Sequence, residues 1–175
     1  MEPIYLRALD LGDLERTYKW HNDIALWELL MPPFRYVSRA SEEEWLRKKQ
    51  SHSNEEVNLA ICLADTSQHI GNIYMREINW IARHAHLTGV LIGDPDHRSK
   101  GYGTAALRML IGHAFGDLGL RRVYGYALEE HASSIRMMEK CGFVVEGKLR
   151  RHAFKAGRFK DVVVMGVCAE DLSSK

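Results

Sequence analysis

The chain has 175 residues, enough for one domain with a single core and short for two. It is 46% hydrophobic and 27% charged with a formal net charge of +1, an ordinary globular composition that argues against nucleic acid as the main ligand. No apolar run reaches membrane-spanning length and Met1-Glu-Pro-Ile-Tyr-Leu-Arg7 lacks a signal-peptide pattern, so a cytoplasmic single domain over residues 1–175, with no membrane partner, is expected.

Ile4–Leu9 reads as a first strand. Asp10 is placed to cap the next helix, with Asp13 in its acidic first turn and Leu11, Leu14 and Tyr18 at helical spacing. Trp20 and Trp27 lie seven apart and share a helix face, where core packing outweighs an aromatic substrate cage. Met31-Pro-Pro-Phe34 breaks the chain into a loop. Ser41 and Glu44 form a capping box, so a second helix is predicted to begin there. Within Glu42-Glu-Glu44, acid residues favouring a helix N-terminus are the better reading than a patch for a cationic substrate.

Val57–Ala64 and His69–Ile78 read as strands joined by the polar turn Asp65-Thr-Ser-Gln68. A loop at Asn79–Arg83 and a strand from His84 to Ile92 follow. Leu107, Leu110, Ile111, Ala114 and Leu118 then mark the buried face of a helix of about four turns. Arg122–Ala127 is a strand, Ser133–Cys141 a helix stopped by Gly142-Phe143, and Val144–Gly147 another strand. Lys148-Leu-Arg-Arg-His152 is read as a solvated strand edge, ahead of a C-terminal hairpin about Phe154–Phe159. Cys62, Cys141 and Cys168 are odd in number and far apart, which points to neither a disulfide framework nor a metal site. The order βααβββαβαββ predicts an α/β fold with helices on both faces of one mixed sheet.

The most informative stretch is Arg98-Ser-Lys-Gly101-Tyr-Gly103-Thr104, between a strand ending at Val90-Leu-Ile-Gly-Asp-Pro-Asp96 and a helix. Free N–H groups at a helix N-terminus and the helix dipole hold phosphate. Gly101 and Gly103 permit positive φ or a close backbone approach, Arg98 and Lys100 add positive charge, and Thr104 adds a hydroxyl. The pattern is not G-x-x-x-x-G-K-[ST], and position 106 is Ala rather than the third glycine of G-x-G-x-x-G. The remaining pattern, R-x-x-G-x-G, resembles the acyl-CoA pyrophosphate loop of the GNAT superfamily of N-acetyltransferases. Ile4–Asp23, Met138–Arg150 (MEKCGFVVEGKLR) and Ala156–Val167 (AGRFKDVVVMGV) are similar to its Rim-type ribosomal-protein and spermidine acetyltransferase branch.

That resemblance implies a single GNAT-like mixed sheet of about seven strands flanked by helices on both faces. It implies acetyl-CoA as cosubstrate and direct transfer to a primary amine: a protein N-terminus, a polyamine or a small-molecule amine. It also implies Leu91, Ile92 and Gly93 as pantetheine contacts, Arg98, Ser99, Lys100, Gly101, Tyr102, Gly103 and Thr104 as the pyrophosphate loop, and a homodimer through the C-terminal strands. Three positions depart from the branch's pattern. Leu87 stands where many relatives have a glutamate, and His131 where an asparagine contacts the cofactor arm. Met138 replaces the tyrosine that usually protonates the CoA sulfur, and methionine has no proton to give. The acid's role then passes to His131, Ser134 or water, and His84, His86 or Glu77 are the candidate bases. A catalytically silent acyl-CoA-binding or partner protein of the same fold is the alternative.

Overall fold

The strands of the computed structural model, which describes residues 3–51 and 53–173, run β1 (Ile4–Ala8), β2 (Val57–Leu63), β3 (His69–Asn79), β4 (His84–Ile92), β5 (Arg122–Leu128), β6 (Val144–Lys155) and β7 (Arg158–Cys168). Met1 and Glu2, which open the segment read for a leader, lie outside the described residues. The strands form one sheet in the order β1-β2-β3-β4-β5-β7-β6, antiparallel except for the parallel pair β4 and β5. The helices are α1 (Leu14–His21), α2 (Ile24–Glu28), α3 (Arg39–Gln50), α4 (Tyr102–Gly116), α5 (Ala132–Glu139) and α6 (Ala169–Ser173). The short α2 and α6 are additional to the predicted order.

Alternation along β2 shows why both faces are covered. Ile61 joins Leu107 and Leu110 of α4 in the main core, while its neighbours Ala60 and Cys62 pack with Leu14 of α1 and Leu46 of α3. At the edge of β1, Asp10 caps a 3₁₀ turn over Leu11–Asp13, and the Asp13 carboxylate returns to the Asp10 amide at 3.0 Å. Asp13 is also gripped by both Arg7 nitrogens at 2.6 and 2.8 Å.

Two helix boundaries differ from the sequence reading. Ser38, not Ser41, caps α3: its side chain accepts from the Ser41 amide at 3.1 Å, so the helix starts at Arg39. Ser and Glu three apart satisfied the capping pattern inside a helix that an earlier serine had already opened. Trp20 and Trp27 do not share a helix. The chain breaks at Asn22, whose side chain bonds both the carbonyl and the amide of Val37, and Asp23 caps α2 through the Leu26 amide. Trp20 is buried, and Trp27 donates its indole N–H to the Trp20 carbonyl at 3.1 Å.

At the C-terminal end, β6 runs on to Lys155, well past Gly147, and turns into β7 through Ala156 and Gly157, both at positive φ. The basic run lies on β6, the outermost strand, where Lys148 pairs with Glu129 and Asp161.

Candidate active site

Strands β4 and β5 pair only from His84 with Arg122 to Leu87 with Gly125, and then part. A bulge sits at the parting point. Tyr74 of β3 faces Gly89 and Met75 faces Leu87, which leaves Thr88 as an extra residue. The extra residue inverts the pleat. Leu87 packs in the core under α4, whereas Leu91 packs on Trp20 and Leu26 on the opposite face. Beyond Leu87 the side of β4 that faced β5 has no strand partner, an open edge to which an extended ligand arm can add.

Two cavities meet at this gap. The larger, about 760 Å³, opens on the α1–α3 face, and the smaller, about 60 Å³, lies against α5. Both are bounded by Leu30, Met31, Leu87, Thr88, Gly89 and Tyr126. The candidate catalytic residues divide between them. His86 lines the larger cavity; His131 and Ser134 line the smaller. His86 stacks on Tyr124 with ring centroids 5.0 Å apart, and Tyr126 meets it edge-on at 5.0 Å. Glu77, at positive φ in a bulge of β3, places a carboxylate oxygen 3.6 Å from His86 Nδ1 and accepts from the Tyr124 hydroxyl. Burial pushes the His86 imidazole below its ordinary pKa, with Glu77 pulling the other way, so the ring is neutral near pH 7. His84, the other histidine of β4, packs edge-on against Tyr124 and lines neither cavity.

His131 occupies the N-cap position of α5 and is half-buried, and burial lowers its pKa as well. Ser134 lies in the first turn of the same helix. Met138 is 2% exposed, within reach of where a Cβ on Gly125 would stand. Its thioether closes the α5 side of the gap with no proton donor.

The Arg98–Thr104 loop adopts the conformation its glycines allow. Ser99 and Gly101 have φ of 60° and 88°, and Gly101 is the N-cap of α4 with no side chain capping the helix. The first amides of α4, at Tyr102, Gly103 and Thr104, therefore lack intrahelical partners and lie at the positive end of a 15-residue helix. Three residues make contacts within the protein that the sequence reading did not include. Arg98 does not present its guanidinium to the loop. It donates to the carbonyls of Ile92 at 3.1 Å and Gly93 at 2.8 Å and lies 3.7 Å from Asp23. The exposed Lys100 is the cation left at the mouth. A Cβ on Gly103 would point at Met137 Sδ, 3.1 Å away, and one on Gly93 would stand 2.1 Å from the Trp20 ring. Packing alone holds Gly93 to glycine and leaves little room at Gly103. Leu91 is buried and Ile92 half-buried, so any contact they make with a ligand arm uses their backbone.

Sequence reasoning missed Tyr126, although its period-2 spacing from Tyr124 on a predicted strand was a usable signal. Of the walls of the larger cavity away from β4, it weighed only Trp27 and Glu42 for a substrate role, and missed Arg35, Trp45, Tyr74 and Arg76. Trp27, Arg35, Glu42, Trp45, Tyr74 and Arg76 come together there from α2, the loop before α3, α3 itself and β3.

A family model described as Acetyltransferase (GNAT) domain matches residues 4–144. The spermidine N(1)-acetyltransferase of Vibrio cholerae is 29% identical over 160 residues, 90% of this chain and 88% of that protein. The probable N-acetyltransferase YjcK of Bacillus subtilis is 27% identical over 173 residues, 96% of this chain and 95% of that one. A crystal structure of the Vibrio cholerae spermidine N-acetyltransferase in complex with CoA and spermine superposes with a TM-score of 0.89 at 29% identity, covering 98% of each chain.

Proposed function

The chain belongs to the acetyltransferase (GNAT) domain family, and from that membership we propose that it moves the acetyl group of acetyl-CoA directly to a primary amine across the gap between β4 and β5. One observation carries the reading: a cavity on each face of the sheet, joined only where the strands part. The acceptor enters the larger cavity. The pantetheine arm lies along the open edge of β4, and the pyrophosphate meets the unpaired amides of Tyr102, Gly103 and Thr104 beside Lys100.

The amine nitrogen attacks the thioester carbon once it is neutral. Neutral His86, held by Glu77, takes the proton that the nitrogen releases. The carbonyl oxygen gathers negative charge as the new C–N bond forms, and backbone N–H groups at the Thr88 bulge are its nearest donors. The C–S bond then breaks, and the sulfur leaves with the electron pair and a proton. Tyr126, which lines both cavities, holds the phenolic proton that Met138 cannot supply. His131 and Ser134 border the sulfur side.

A second reading, a catalytically silent acyl-CoA-binding protein, is favoured by the buried Met138 alone. Release of free CoA thiol across a panel of amines and peptide N-termini, with CoA binding followed by calorimetry, separates the two. Binding with turnover is expected. Binding with no turnover on any acceptor supports the silent reading instead.

A further inference from the structure

The walls of the larger cavity carry information about the acceptor, and their charge is the wrong sign for a polycation. Glu42 is the only carboxylate lining it among the described residues. Its side chain is 1% exposed, and its Oε2 is already bonded to His21 Nδ1 at 2.6 Å. Two arginines, Arg35 and Arg76, line the same cavity. Arg35 is exposed and makes no ion pair or hydrogen bond among the described residues. Arg76 has its Nε 3.4 Å from Glu56, but Lys49 Nζ already holds both oxygens of Glu56 at 2.6 Å. Arg76 therefore shares one carboxylate with Lys49 and lies 5.5 Å over the Tyr74 ring, so this side of the cavity carries a net positive charge.

Two oxygens of the cavity wall are buried with no hydrogen-bond partner among the described residues, Glu42 Oε1 and the Tyr74 hydroxyl, as is the Nε of Arg76. Burial pushes the Tyr74 phenol above its ordinary pKa, with Glu42's charge adding and Arg76's opposing, so it remains a donor. Both oxygens lie among aromatic rings: His21 packs edge-on against Trp45 at 4.8 Å and Trp27 at 5.8 Å, and Trp45 against Tyr74 at 6.3 Å. An unpartnered carboxylate oxygen in an aromatic floor asks for a ligand N–H or O–H at the end of a flat ring. The anion site is close to the reacting amine. Arg76 and His86 are cross-strand partners, so their side chains start roughly 5 Å apart on one face of the sheet.

We propose that the acceptor is a small amino acid: a primary amine with a carboxylate a few bonds away and an aromatic side chain ending in a hydrogen-bond donor. The carboxylate meets Arg76 and Arg35, the amine meets His86, and the ring lies between Trp27, Trp45 and Tyr74 with its donor on Glu42. This assignment rests on the acetyltransferase reading for its chemistry, but the subsite can be tested without turnover. A polyamine, by contrast, would set several ammonium groups against two arginines with one free carboxylate oxygen to receive them.

The test compares tryptophan and tyrosine with tryptamine and tyramine, which lack the carboxylate, and with spermidine. CoA release and calorimetric binding of each acceptor are both measured. Each amino acid is expected to exceed its decarboxylated partner in kcat/KM and in affinity by about tenfold or more, the range for one charge-assisted hydrogen bond. Arg76→Gln should bring that ratio toward one. Arg35→Gln, on an exposed loop, should narrow it without a folding complication. Equal or better use of the decarboxylated amines, or spermidine as the best acceptor, overturns the subsite and leaves acetyl transfer standing. Preferential binding of tryptophan over tryptamine with no CoA release from any acceptor overturns acetyl transfer and leaves the subsite standing. Binding of neither, or binding without preference, overturns the subsite whatever the turnover.

Discussion

His86, the base we propose, owes that assignment to its neighbours. A bulge turns Glu77 toward it, a parallel neighbour stacks Tyr124 on its ring, and burial keeps the ring neutral. A base with a lowered pKa is fully active above that value and is lost as the pH falls through it. Turnover should therefore be flat through neutrality, with an acid limb below the ordinary histidine value. His86→Gln is expected to lower kcat about 100-fold, the low end for a general base, and to abolish that limb while CoA affinity holds. A pH–rate profile on the variant settles it, and a surviving acid limb would assign the base elsewhere. Arg98 makes the complementary point. A cation beside a phosphate loop invites a direct ligand contact, yet its guanidinium ties down the carbonyls at the end of β4.

At the scale of elements, the first strand and its 3₁₀ turn are held by one buried carboxylate. Burial by itself would raise the pKa of Asp13. The Arg7 fork, the His69 ring at 2.9 Å and the Asp10 amide outweigh that and hold it well below the carboxylate range. A depressed folded pKa adds stability that is present above the unfolded value and is lost as pH falls toward the folded one. Asp13→Asn leaves Arg7 without its counter-charge and should cost about 3 kcal/mol in urea unfolding near neutral pH. The gap between wild type and variant should stay constant from about pH 5 to 8 and shrink below about pH 4, the unfolded carboxylate range. A gap that persists in acid would show that Asp13 acts by packing rather than by charge. The bulge at Thr88 works at the same scale: one inserted residue turns Leu91 to the α1 face while Leu87 stays under α4.

Across the whole molecule, the helices beside the larger cavity and the glycine-rich loop are one mechanical unit. Trp20 of α1 sits against the backbone at Gly93, directly before the turn that leads into Arg98–Thr104, and Arg98 reaches back to Asp23 at the start of α2. A Cβ on Gly93 would stand 2.1 Å from the Trp20 ring, so Gly93→Ala forces this joint apart. Overpacking of that kind costs about 1–3 kcal/mol, which for a chain of this size lowers Tm by roughly 3–10 °C. CoA affinity should fall in the same variant, and calorimetry that finds it unchanged would uncouple the loop from those helices. Among the described residues no helix is long and apolar enough to cross a membrane.

The order of the seven strands, the amphipathic faces and the glycine-rich loop were determined by the sequence alone, because periodicity, turn residues and backbone φ are local properties. Val57–Ala64 and His84–Ile92 declared themselves as strands, and Gly101 marked the start of α4 six residues before Leu107, where its predicted apolar face begins. The loss of a proton donor at Met138 was equally plain, since it depends on residue type and not on placement. The walls of the acceptor cavity were decided only in three dimensions. Glu42 read as an ordinary helix-start acid beside Glu43 and Glu44, and those two do pair at i,i+4 with Arg47 and Lys48 on the outside. Glu42 turns inward because α3 begins at Arg39 and lies across His21, whose ring its own Trp45 meets edge-on. Arg76 and His86 are ten positions apart in sequence, and only the register of β3 against β4 makes them neighbours. Cation, base and aromatic floor come from separate segments, so no local pattern carries them. Strand pairing and the break after Asn22 bring them to one cavity.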